Sequence, residues 1–178
     1  MRPNQDRLIK GSKVLRKNIS DLARKAGLPP LQHKKLVDSD MELRLWGDIG
    51  LHEEKVVVIK LSDNKWKATL NTVKHGDKTS RRHRRNLLPP KSGWEELYSF
   101  LKLNRVGVPL PFSFDPTDLP PIIDEGVVFL EINQGGMYDF IYYGHATESS
   151  DGKAVMNICR NIENEFQVNV GCSIRSIQ

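Results

Sequence analysis

The sequence predicts an α+β domain: an antiparallel sheet of about five strands in two layers, with helices on one face and an amphipathic helix ahead of it. Three observations predict it. Segments alternating between apolar and polar residues come in pairs joined by short turn clusters, the mark of hairpins. Segments with helical periodicity follow those pairs. The 178 residues, 38% apolar and 28% charged, suffice for one core without a metal or disulfide staple.

Residues 1–40 read as a basic N-terminal extension with one helix, and 41–178 as the α+β domain. Residues 1–11 are polar and expected to fray. Ser12 caps a helix over about 13–26, whose Leu15, Ile19, Leu22 and Ala26 fall on one face. Arg16, Lys17, Arg24 and Lys25 take the other sides. Gly27, Pro29 and Pro30 end it, and 29–40 connect to the sheet.

Met41, Leu43 and Leu45 alternate with Glu42, Arg44 and Trp46, as in a half-buried strand. The β-branched run Val56-Val57-Val58-Ile59 reads as a more central strand. With Ser62-Asp63-Asn64 as the turn, 55–61 and 65–73 form a hairpin. A basic segment from Lys74 to Asn86 is read as a loop. Ser92 and Glu95 match a capping box that opens a helix running to about Leu103, with Trp94, Leu97, Tyr98 and Leu101 facing the core. Five prolines between 108 and 121 impose an extended crossover. Residues 126–133 and 136–144 make a second hairpin around Gln134-Gly135-Gly136. A helix over about 151–167 presents Val155, Ile158, Cys159, Ile162 and Phe166 as one stripe, and the tail supplies a short extra strand. The expected core comprises Leu43, Leu45, Val57, Ile59, Trp66, Leu70, Trp94, Leu97, Leu101, Val128, Leu130, Phe140, Ile158, Ile162 and Phe166.

The net charge of +5 is unevenly spread. Residues 1–40 carry a balance of +6 and residues 74–85 one of +5, leaving a mildly acidic remainder. No apolar run is long enough to span a membrane. Residues 1–10 contain no secretory signal, so the location expected is cytoplasmic, or exported if a leader has been removed. The spacing of Cys159 and Cys172 forms no zinc pattern. Pairing them requires the chain to fold back, and two reduced thiols are the simpler expectation.

The residues suggest no catalytic set, metal or cofactor. Nucleophile elbows, Walker loops and paired zinc-binding histidines are all missing from the sequence. His33, His52, His75, His83 and His145 have no helical pairing and read as solvated. Asp124, Glu125, Glu131 and Asp139 cluster around the second hairpin, where Glu131 and Asp139 would be the pair for a carboxylate hydrolase. The sharpest local feature is the segment 74–85. Lys74, Lys78, Arg81, Arg82, Arg84 and Arg85 are the candidate binding residues, because arginine forks grip carboxylate and phosphate in bidentate fashion. Trp66 and the stripe Tyr138, Phe140, Tyr142 offer stacking faces to a nucleic acid.

Strand 41–46, the hairpin around Trp66, Gly93-Trp94 opening a helix, the aromatic strand Tyr138 to Tyr143 and the helix end Glu163-Asn164-Glu165-Phe166 together resemble a group of small uncharacterised bacterial α+β domains. That resemblance implies the fold but no activity. Members of the group look exported or lipid-anchored, whereas this chain begins with a basic stretch lacking a signal. The function expected is that of a non-enzymatic domain that binds another protein. The alternatives are a nucleic-acid-associated protein using 74–85 and a hydrolase with an unrecognised carboxylate site.

Overall fold

A computed structural model describes residues 17–49, 51–76, 80–104, 127–144 and 150–172. A helix α1 at 17–25 leads through a 3-10 turn, Leu31–His33, to the sheet. The strands are β1 (Met41–Ile49), β2 (Glu53–Ser62), β3 (Lys65–His75), β4 (Ser80–Asn86), β5 (Val127–Gln134) and β6 (Met137–Gly144). Helix α2 (Trp94–Leu103) follows β4, and α3 (Ser150–Phe166) follows β6. The sheet is wholly antiparallel, in the order β4-β3-β2-β1-β5-β6.

Both expected hairpins form. Asp63 and Asn64 each adopt positive φ in the β2–β3 turn, as a two-residue turn matching strand twist requires. Gly135 and Gly136 do the same between β5 and β6 at φ 56° and 81°.

Among the described residues six strands replace the five expected. The extra one is β4, in the segment read as a loop. It pairs with β3 from Thr69↔Asn86 to His75↔Ser80. Every residue of β4 is exposed, so it has no buried side to print an apolar alternation into the sequence.

Helices α2 and α3 share one face, as expected, and the N-terminal helix covers the other, which makes three layers rather than two. The main core joins Leu43, Leu45, Val57, Ile59, Leu70 and Leu130 to Leu97 and Leu101 of α2 and Ile158, Ile162 and Phe166 of α3. On the opposite face, Ile19, Leu22, Ala23 and Ala26 of the N-terminal helix region pack on Trp46, Val56, Val58, Val73 and Phe129. Strand β1, hydrogen-bonded to β2 and β5, is therefore buried on both sides rather than half-buried. Of the expected core, Trp66 and Trp94 are partly buried and stack on each other, with centroids 5.4 Å apart. Phe140 belongs to the second cluster.

The capping box does not form. Gly93, at φ 96°, takes the N-cap position of α2 without a side-chain cap, and the Glu165 carboxylate accepts the Ser92 N–H at 2.9 Å. The cysteines, expected as free thiols, form a disulfide with Cα atoms 5.8 Å apart. The tail returns because Val168 and Val170 are buried and the buried Glu163 carboxylate accepts the N–H groups of Val170 and Cys172 at 2.7 and 3.1 Å. Within 168–172 no strand forms. Residues 1–16, the 108–121 crossover, Asp124, Glu125 and His145 lie outside the described residues.

Candidate functional site

Strand β4 puts Arg81, Arg82, Arg84 and Arg85 on one edge of the sheet. Alternation divides them between the faces. Arg82 and Arg84 stand opposite Val73 and Asn71, on the α1 side. Arg81 and Arg85, with His83 between them, stand opposite Lys74, Leu70 and Thr72, on the α2–α3 side. Among the described residues, none of the four arginines has an ion-pair partner, and no strand pairs with the outer edge of β4. Arg82 lies against Gly27, just past the C-terminal end of α1, where a cation meets the negative end of the helix dipole. Lys74 differs from the arginines, because its ammonium is 2.9 Å from the Glu53 carboxylate and holds that carboxyl below its usual range. Lys78 lies outside the described residues.

The α1 face has two halves. One is the apolar ground under α1. The other is polar and was not read from the sequence, where Glu42 and Arg44 looked like the solvent side of β1. Arg44 is fully buried and donates from Nε and Nη2 to the Glu42 carboxylate at 2.9 and 2.7 Å. Lys34 also donates to Glu42, and Lys60 lies 3.8 Å from it. Burial works to raise the Glu42 pKa, but Arg44 and Lys34 hold it below the usual range. Lys60 is held below the usual lysine range, first by its contact with Lys34 and then by burial. The Nη1 of Arg44 has no hydrogen-bond partner among the described residues.

Beside this cluster, the buried Glu131 carboxylate accepts hydrogen bonds from Trp46 Nε1 at 2.6 Å and Tyr138 OH at 3.0 Å. Burial pushes its pKa up despite the nearby Arg44. The hydrolase pair does not form. Glu131 stands opposite Phe140, while Asp139 stands opposite Ile132, so the two carboxylates project from opposite faces. The Asp139 carboxylate accepts its neighbour Phe140's N–H at 2.8 Å.

Where the polar half of the α1 face meets the end of β4 there is a groove of about 520 Å³. Lys60, Lys67 and Arg84 line it, and Trp66, Trp94 and Pro89 close its far side. Among the described residues no group of three or more His, Cys, Asp or Glu is placed to hold a metal, and no helix is long and apolar enough to cross a membrane. No family model matches the chain, and no curated protein matches it. The chemistry of the site has to be read from its own geometry.

Proposed function

We propose that this is a non-enzymatic recognition domain that accepts an acidic, extended segment of a partner protein as an added strand along β4. The observation that carries the reading is the form of that edge: seven exposed residues in strand conformation, four of them arginines shared between the two faces.

Side chains on one face of a strand repeat every two residues, roughly 6.6–6.8 Å. Acidic residues of an added strand repeat at the same interval, so each arginine meets its own carboxylate on its own face. Opposite charges directly across a ladder contribute about 0.2–1 kcal/mol per pair, and main-chain hydrogen bonds supply the rest of the attachment. The arginines also deter neutral strands and further copies of this chain, because like charges would be juxtaposed. A phosphate backbone laid along either face meets only two of the four arginines, which favours a peptide over a nucleic acid.

The test is fluorescence anisotropy with a labelled peptide carrying Glu-Glu-Thr-Glu-Glu, which presents carboxylates on both faces of an added strand, run beside a labelled single-stranded oligonucleotide, from about 50 to about 200 mM salt. The peptide is expected to bind, and to lose affinity when its alternate amides are N-methylated. Binding by the oligonucleotide alone, with a steep salt dependence, would transfer the edge to nucleic-acid recognition. Binding by neither would leave the arginines as a guard against edge-to-edge association.

A further inference from the structure

Lys60 and Lys67 stand directly opposite each other in the β2–β3 ladder. Like charges in that position repel, with Cβ atoms about 4.5–5.5 Å apart. The only described carboxylate within ion-pair distance of Lys60 is Glu42, which Lys34 and Arg44 also share. No described carboxylate pairs with Lys67 or Arg84, and none lines the groove that Lys60, Lys67 and Arg84 share. Three cations therefore share a concave site where, among the described residues, the one carboxylate within reach is Glu42, itself shared with Lys34 and Arg44. The other wall is apolar, formed by Trp66, Trp94 and Pro89 on the α2–α3 side, so the groove wraps the edge of β3 just past the end of β4. At about 520 Å³ the groove falls in the range of small-molecule sites, roughly 300–1,000 Å³.

We infer that this groove is a binding site for a small organic phosphate: the phosphate between Lys60, Lys67 and Arg84, and a flat apolar body against the tryptophan wall. The phosphate relieves the Lys60–Lys67 repulsion, and the lysines act as point charges that accept its several oxygens. The site does not rest on strand addition. It lies at the end of β4, around the edge of β3, and Arg81 and Arg85 are not among the residues that line it.

The experiment titrates the whole chain with adenosine monophosphate, inorganic phosphate and adenosine in turn, following tryptophan fluorescence and heat of binding. Adenosine monophosphate is expected to saturate the site and change the fluorescence, inorganic phosphate to bind more weakly, and adenosine to have no effect. Lys60→Gln with Lys67→Gln should weaken the nucleotide by about tenfold or more, the scale of one lost charged hydrogen bond. Thermal melts of that double variant without ligand confirm that it folds, since it loses a repulsive pair. Arg81→Ser with Arg85→Ser should leave the nucleotide affinity unchanged. Adenosine binding as well as its phosphate, unchanged affinity in the double-lysine variant, or no saturable binding of either phosphate would each overturn the assignment. So would binding of an oligonucleotide with none of the mononucleotide.

Discussion

The indole Nε1 of Trp46 donates to the Glu131 carboxylate at 2.6 Å, across the β1–β5 ladder and beneath the second layer of the fold. This contact joins a side chain of the apolar half of that face to one of the polar half. It also has a consequence for stability. Burial raises the Glu131 pKa above its unfolded value, near 4.3. Between those two values the folded state binds more protons than the unfolded state, so this group costs stability as pH rises through the window. Glu131→Gln keeps an acceptor for Trp46 and a partner for Tyr138. At pH 7 it should be at least as stable as the parent, and its urea midpoint should fall less between pH about 4.5 and 7. An unchanged pH slope would show that Glu131 ionises freely in the fold.

Gly47 of β1 is required by the returning tail. A Cβ there would stand 1.6 Å from the carbonyl oxygen of Val170. Gly47→Ala should therefore cost about 1–3 kcal/mol by overpacking, and possess a tail more open to proteolysis. Stability equal to the parent would mean that the tail is displaced at no cost, contrary to the burial of Val170 and Cys172.

The Cys159–Cys172 disulfide closes a short loop between α3 and that tail, with a sequence separation of 13. A cross-link over a loop of this size stabilises by about 3 kcal/mol, chiefly through the unfolded state. Replacing both cysteines by Ala should lower the Tm by about 6–12 °C in a scanning calorimeter. The same drop should appear in the parent on reduction, and its absence there would show that the thiols are not joined.

Arg81, Arg82, Arg84 and Arg85 are exposed, so removing them should hardly affect folding. The quadruple Ser variant is expected to lose the acidic peptide while its Tm stays within a few degrees of the parent, the small change coming from Arg82 at the end of α1. Unfolding of the variant would make the arginines structural.

Hairpins and helices were legible because each carries a local signal: Asp63-Asn64, Gly135-Gly136, and the stripe Val155, Ile158, Ile162, Phe166. Strand β4 was not, because a strand wet on both faces has no apolar period. The burial of Glu42, Arg44 and Glu131 was hidden for a different reason. Alternation in β1 marks two faces, but only tertiary structure puts β1 between β2 and β5 with packing on both sides. The disulfide depended on the returning tail, which Glu163 fixes through two backbone N–H groups that no spacing rule anticipates. Of the candidate site, residue identities were legible and their geometry was not: arginines on a loop and arginines on an edge strand have the same sequence.

The central claim is that β4 takes an added strand, and amide hydrogen exchange across residues 80–86 tests it most directly. An added strand hydrogen-bonds the outward amides of β4, so saturating acidic peptide should slow their exchange while the amides that already face β3 change little. Peptide binding with no new protection in 80–86 would contradict the account, and would show that the arginines hold their partner by charge alone.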